Sequence, residues 1–284
     1  MTLKRRGVKD TMPLSPSVRL LLADVDGTLI TKNKVLTDRA VAAVAKLNKA
    51  GVLFALTSGR PPRGMAMFVE SLDITTPIAA FEGALLVNPD MTIIERRTVP
   101  SDLVTPIFDQ MASFSLDVWL YRGSDWLIPN PKGPHVDQES ATVKFGPTVG
   151  SNLRLVTEGI VKMVGVSDDY GLVEKAAAAV RDRFGDHVSA ARSQPYYVDV
   201  THPDANKGMV ARYLSARYSI RPEQVATIGD MPNDILMFAH SGLSIAMGNA
   251  DMQVQRAARR ITASNDDEGF AKAVERFILH EPPD

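Results

Sequence analysis

Short apolar runs alternate along this chain with longer stretches of helical spacing. Residues 18–23 read Val-Arg-Leu-Leu-Leu-Ala and stop at Asp24, Asp26, Gly27 and Thr28. A short apolar run bounded by turn residues has the pattern of a strand buried on both faces. Thr37-Asp38 then opens a stretch in which Ala40, Val41, Val44, Ala45 and Leu47 share one helical face, and Gly51 is a natural stop. Residues 52–56 are the next apolar run. They lead into Thr57-Ser58-Gly59-Arg60, and Pro61-Pro62 suits the first turn of a helix. Residues 77–81 form a third run, closed by Glu82-Gly83. Strand, helix, strand, helix, strand is the doubly wound α/β order.

The pattern changes after residue 84. Runs at 84–87 and 92–95 flank Asn88-Pro89-Asp90, and runs at 117–121 and 126–128 flank Arg122-Gly123-Ser124-Asp125. Both read as hairpins, with a helical stretch at 101–114 between them. Residues 129–158 are rich in Pro and Gly, with one possible helix near 136–144. A strand at 159–166, an Ala-rich helix at 172–184 and a last hairpin of 188–191 with 196–200 complete an α+β pattern with an antiparallel sheet. From about 203 the first pattern resumes. Helix 206–217 and strand 225–228 are followed by a helix near 232–240, a strand at 243–247, and helices near 250–259 and 268–279. The expected fold is α/β: a doubly wound, Rossmann-like parallel sheet core (17–84 and 202–284) with an inserted α+β module (85–201). Residues 1–16 are expected to form a mobile arm.

A length of 284 residues allows two domains or one large one. A net charge of −1 gives no basic footprint for nucleic acid or a membrane surface, and neither is expected as a partner. The absence of cysteine removes disulfides, thiol nucleophiles and Cys-ligated zinc, and suits a reducing cytoplasm, the expected location. No apolar stretch approaches a membrane span. Lys4, Arg5, Arg6 and Lys9 are not followed by an apolar signal core before Pro13 and Pro16, so the arm reads as a solvated tail. The five histidines are scattered and suggest no metal triad.

Candidate chemistry gathers where the runs end. Ligands in open α/β sheets sit beyond the carboxyl ends of the strands. Asp24 and Asp26 lean to one side of an extended chain, roughly 6–7 Å apart, a gap fit for a metal ion or a phosphoryl group. In isolation a strand end with an Asx turn is the better account of them. Ser58 and Gly59, opening onto a helix, form an anion site or a simple helix cap. Lys207 stands between Asn206 and Gly208 just before a helix, where a solvated charge is the plain alternative. Asp230, Asn233 and Asp234 follow another strand and suit a hard cation or a helix N-terminus.

Taken together, these segments resemble the haloacid dehalogenase (HAD) superfamily of phosphohydrolases. Asp24-Val-Asp26-Gly-Thr-Leu is similar to its first motif, and Gly229-Asp230-Met-Pro-Asn233-Asp234 to its metal-binding motif. Residues 244–250 and 262–270 resemble closing segments of the Cof-like branch, which carries a cap of the C2B type where this chain has its insert. The resemblance implies a phosphoric monoester hydrolase in which Asp24 is the nucleophile and Asp26 the acid–base. It implies Mg²⁺ on Asp24, the backbone carbonyl of Asp26, and Asp230. Ser58, Gly59, Arg60, Lys207 and Asn233 would bind the phosphate, with Thr28 and Asp234 in support. The implied partner is a small phosphorylated metabolite such as a sugar phosphate, and the implied assembly a monomer or homodimer. The branch usually has Asn-Gly where this chain has Glu82-Gly83. A phosphosugar mutase of the same superfamily would use the same core. A receiver-like signalling protein lacks the insert and the second aspartate, and the intact set Asp24, Asp26, Ser58, Lys207 and Asp230 argues against a non-catalytic metabolite-binding protein.

Overall fold

The structure is a computed structural model that describes residues 18–282, and the arm expected over 1–16 lies outside the described residues. The chain opens with β1 (Leu20–Asp24), α1 (Asp38–Lys49), β2 (Leu53–Thr57), α2 (Met67–Ser71) and β3 (Ile78–Ala80). It continues with β4 (Leu85–Val87), β5 (Ile93–Arg96), α3 (Ser101–Ala112), β6 (Asp117–Arg122), β7 (Asp125–Ile128), α4 (Val136–Val143) and β8 (Thr148–Val149). Then come β9 (Ile160–Val166), α5 (Tyr170–Phe184), β10 (Ser189–Gln194), β11 (Tyr197–Thr201), α6 (Lys207–Tyr218) and β12 (Val225–Gly229). Finally, α7 (Ile235–Phe238), β13 (Leu243–Ala246), α8 (Met252–Ala257), β14 (Arg260–Ile261) and α9 (Gly269–Ala273) complete the domain that β1 began.

Two sheets result. The larger has the order β14-β13-β12-β1-β2-β3-β4-β5. Its first six members are parallel, and β1 at the centre is buried along its whole length. Its Leu and Ala side chains meet apolar layers on both faces, as a central parallel strand requires. This is the expected doubly wound core. Thr37 caps α1 by accepting from the amide of Ala40, and Ala40, Ala43, Val44 and Leu47 pack down onto the sheet.

The second sheet, β10-β11-β9-β6-β7-β8, is antiparallel except at its β7–β8 edge. On one face Val118 and Leu120 join α3 and α5 in a core of their own. On the other, Trp119 and Tyr121 belong to the apolar cluster that reaches into the larger sheet's domain. That two-residue alternation gives the insert a face turned toward the core.

One boundary needs correction. The sequence pattern places 85–201 in the insert, but β4 pairs antiparallel with β3, and β5 with β4. Residues 85–96 therefore extend the larger sheet, and the smaller sheet begins only at Asp117. Three helical segments also depart from a regular α-helix. Pro61-Pro62 opens a single 3₁₀ turn before α2, Pro232–Asp234 forms another before α7, and a π-turn over Val274–Ile278 follows α9. Among the described residues no helix is long and apolar enough to cross a membrane.

Candidate active site

The parallel strands end together. Asp24 closes β1 beside Thr57 of β2, Ser58 and Asp230 come directly after β2 and β12, and Asn249 lies in the loop after β13. The chain leaves β1 sharply at Gly27, whose φ is +83°. A Cβ at Gly27 would overlap the carboxylate of Asp230, so the glycine is what lets that side chain close over the loop. Thr28 Oγ1 donates to Asp230 Oδ1 at 3.2 Å. Asn249 Nδ2 reaches both Asp230 Oδ2 at 3.3 Å and the carbonyl of Gly27 at 3.0 Å.

Lys207 is the charge centre. It starts α6, whose cap Asn206 accepts from the amide of Met209, and its side chain is only 2% exposed. Its Nζ donates to Asp24 Oδ1 at 2.6 Å and to Asp234 Oδ1 at 2.7 Å, with Glu82 Oε2 at 3.9 Å. Burial works against the ammonium, but the surrounding carboxylates outweigh it and hold Lys207 well above the usual lysine range. The other oxygen of Asp234 accepts from the amides of Asp230 and Met231, each at 2.9 Å. Both its oxygens are thus engaged, and it buttresses Lys207.

One ammonium does not offset this cluster. Asp24, Asp230 and Asp234 bring carboxylate oxygens within 4.8 Å of one another. Burial, with Asp234 and Asp230 beside it, drives Asp24 well above the usual carboxylate range. Burial and Asp234 push Asp230 up to about 7. Buried carboxylates left short of positive charge, with oxygen donors and neither sulfur nor imidazole among them, fit a hard divalent cation.

Asp26 has a different environment. Burial would raise its pKa, but Arg60 and then Lys34 overcome that and hold it below the ordinary value. Arg60 grips it with Nε on Oδ2 at 2.6 Å and Nη2 on Oδ1 at 2.7 Å, and Lys34 Nζ reaches Oδ1 at 2.6 Å. The sequence places Arg60 among phosphate-binding residues; its fork instead faces Asp26. Lys34, eight residues beyond Asp26, carries no local signal of this contact.

Ser58 and Gly59 follow β2, with Ser58 Oγ accepting from the amide of Arg60 at 3.1 Å. Across from them Phe81 and Glu82 both hold left-handed backbone, with φ of +49° and +60°. Two such residues in succession store strain, which the amide bonds Phe81 to Arg60 O and Glu82 to Ser58 O help to impose. The turn aims Glu82 into the site, where it accepts from Asn233 Nδ2 at 2.9 Å. A Cβ on Gly59 would stand 3.0 Å from Glu82 Oε1, so Gly59 leaves the room this carboxylate uses. Burial raises the pKa of Glu82.

These groups form the floor of a cavity of about 680 Å³ whose roof is the insert. On β11, Val198 and Val200 point into the insert's own core while Tyr197, Asp199 and Thr201 line the cavity. Lys162 pairs with Asp199 at 2.8 Å, and Tyr121 donates to Glu139 at 3.2 Å. Burial raises Glu139 above the usual carboxylate range. Asp199 Oδ1 and Asn233 Oδ1 are buried with no hydrogen-bond partner among the described residues. Like Lys34, the residues Lys162, Asp199 and Glu139 were not singled out by sequence reasoning, and Asn249 entered only as part of the segment 244–250. Alternation on β11 was the available signal for Asp199, but an ordinary solvated face gives the same one, and Lys162 is a single polar residue in the otherwise apolar β9.

Carboxylates and a hydroxyl at neighbouring strand ends, with a buried lysine from the start of α6 and an inserted roof, suit an α/β phosphoryl-transfer enzyme. The model of the haloacid dehalogenase-like hydrolases matches residues 21–274, and the chain belongs to that family, as a phosphoric monoester hydrolase of its Cof-like branch. It is 25% identical over 264 residues to the 5-amino-6-(5-phospho-D-ribitylamino)uracil phosphatase YitU of Bacillus subtilis, covering 91% of this chain and 97% of that one. A haloacid dehalogenase-like hydrolase from Bacteroides thetaiotaomicron superposes with a TM-score of 0.83 at 26% identity, over 92% of this chain and 99% of the other. The HAD subclass IIB sugar phosphatase BT4131 superposes at 0.78 with 19% identity, over 92% and 99%, a likeness of fold.

Proposed function

We propose that this chain is a Mg²⁺-dependent phosphatase that hydrolyses a small phosphate monoester through a phosphorylated Asp24. The observation that carries the reading is Asp24 itself. It stands at the end of the central strand, 2.6 Å from a buried lysine, among carboxylates that need one more cation. Asp24, the carbonyl of Asp26, and Asp230 would hold Mg²⁺, which when bound neutralises the phosphoryl oxygens. Ser58 and Lys207 share the remaining charge.

Asp24 attacks phosphorus, and the bond to the ester oxygen breaks. That oxygen takes a proton from Asp26. Arg60 and Lys34 keep Asp26 ionised at rest, so it first takes up a proton, which the negative charge of an arriving phosphoryl group favours. In the second half Asp26 removes a proton from the water that attacks the phosphorylated aspartate, and free Asp24 and phosphate result. The insert acts as the cap, excluding water and contacting the leaving group.

The cavity also speaks to substrate class. Asp199 Oδ1 and Asn233 Oδ1 are acceptors with no donor among the described residues, and the Glu82 carboxylate is hydrogen-bonded to Asn233 beside them. A leaving group rich in hydroxyl or ammonium donors satisfies them, and one bearing a carboxylate is repelled. A sugar or polyol phosphate is therefore the substrate class proposed. A panel of phosphate esters assayed with Mg²⁺ and again in EDTA tests both statements. Activity confined to the Mg²⁺ arm and highest on polyol or amino-bearing esters is expected. Full turnover in EDTA contradicts the metal, and a preference for carboxylate-bearing esters contradicts the cavity argument.

A further inference from the structure

We infer that Arg60 is a positioning residue that ties the orientation of Asp26 to the seating of the insert on the core. The inference rests on the phosphatase reading above. One planar guanidinium makes every contact involved. Its Nε and Nη2 hold the two oxygens of Asp26 at 2.6 and 2.7 Å. Its Nη1 donates to the carbonyl of Gly64, in the core turn after β2, and to the carbonyl of Thr142, in α4 of the insert, both at 3.2 Å. Because the fork is rigid, the edge that meets Asp26 cannot keep its place when the edge that meets Thr142 moves.

The contact with the insert is a built one. Thr142 lies in the last turn of α4, where carbonyls lack helical partners and favour a cation. The same stretch packs on the core turn: a Cβ added to Gly64 would come within 3.1 Å of Val143 Cβ. The guanidinium of Arg63 lies 4.3 Å from the ring of Phe145. Arg60 is 5% exposed, so its side chain has no solvated alternative nearby. Lys34, the other cation on Asp26, is 43% exposed and meets Asp26 Oδ1 rather than α4 or the turn on which α4 packs.

The consequence is a division of labour within one site. Ser58, Lys207 and Asp24 receive the phosphoryl group whatever the insert does, since the guanidinium bonds to none of them. Proton transfer by Asp26 depends on the fork, and the fork depends on α4. Lifting the insert removes one of the fork's two carbonyl anchors, so an open site binds phosphate with its acid–base group poorly held. Seating of the insert over a substrate of the right size then completes the proton path.

Kinetics on two esters separate these roles. A p-nitrophenyl ester needs little protonation of its leaving group, while an alkyl ester such as glycerol phosphate needs it fully. Arg60→Ala is expected to lower kcat on the alkyl ester about tenfold or more beyond its effect on the aryl ester. KM should stay within about threefold for both. Arg60→Lys, with one ammonium in place of the fork, is expected to recover part of the alkyl rate. Gly64→Val pushes α4 off its turn without changing Arg60 or Asp26, and is expected to show the same alkyl-selective loss. Thermal melts establish that each variant is folded, and if Arg60→Ala is not, Arg60→Lys and Gly64→Val carry the test. Equal losses on both esters, a rise in KM with kcat unchanged, a faster alkyl reaction, or a folded Gly64→Val variant with wild-type kinetics overturns the inference. If wild type hydrolyses both esters, these outcomes leave the phosphatase reading standing. A wild type that hydrolyses no ester removes that reading, and the inference with it.

Discussion

Asp24→Asn is expected to leave a folded protein whose turnover of every phosphate ester falls by about 10⁴-fold or more. The amide keeps the shape of the carboxylate but not its nucleophilic oxygen. Stability should not suffer, because the substitution removes one charge from a cluster already crowded with carboxylates. Lys207 retains Asp234 at 2.7 Å. Steady-state rates beside a thermal melt read both quantities. Wild-type rates in a normally melting variant would take the nucleophile's part away from Asp24.

The second large effect concerns stability as much as rate. Lys207→Met strips the ammonium from between Asp24 and Asp234 and leaves buried charge uncompensated. Breaking a buried pair from one side costs about 3–5 kcal/mol. The melting temperature should then fall by roughly 6–20 °C in a chain of this size. The loss should depend on pH with a definite sign. Burial already raises Asp24 and Asp230, the latter to about 7, and removing Lys207 takes away the interaction that lowers both. Groups whose folded pKa exceeds the unfolded one contribute stability at low pH and lose it as pH rises through the folded value. The deficit relative to wild type should therefore be smaller near pH 5 than near pH 8, and added Mg²⁺ should narrow it at the higher pH. A deficit that does not change with pH would mean that Lys207 acts by packing alone.

Much of the core could be read from the sequence because its signals are local. The run 18–23 ending in Asp24 marks both a central strand and the place where its ligand sits. Asp230 follows another apolar run in the same way, and Gly27, which the sequence offers as a turn, also makes room for Asp230. What was not legible depends on contacts distant in sequence. The β4–β5 hairpin has the same alternation whether it joins the core sheet or the insert. Its placement follows from the pairing of Ala79 with Leu86, which no local pattern encodes. Arg60 sits next to Gly59, which the family resemblance assigns to the phosphate, so proximity in sequence suggests a phosphate contact. The length of the arginine side chain instead carries the guanidinium to Asp26 and Thr142. The roof is the least legible part. Lys162 interrupts an apolar strand and Asp199 is a polar position on an alternating one, and only the face on which β9 and β11 turn toward the core makes them cavity residues.

The covalent step can be observed directly in an Asp26→Ala variant given an aryl phosphate and Mg²⁺. Without its base the second half of the reaction slows, while a good leaving group lets the first half proceed. A burst of phenol of about one equivalent per enzyme is expected before slow turnover. Peptide mapping of the quenched protein should then find the phosphoryl group on the peptide that contains Asp24. Linear phenol release with no phosphorylated peptide, or a phosphoryl group on any other residue, would contradict the phosphorylated-Asp24 mechanism.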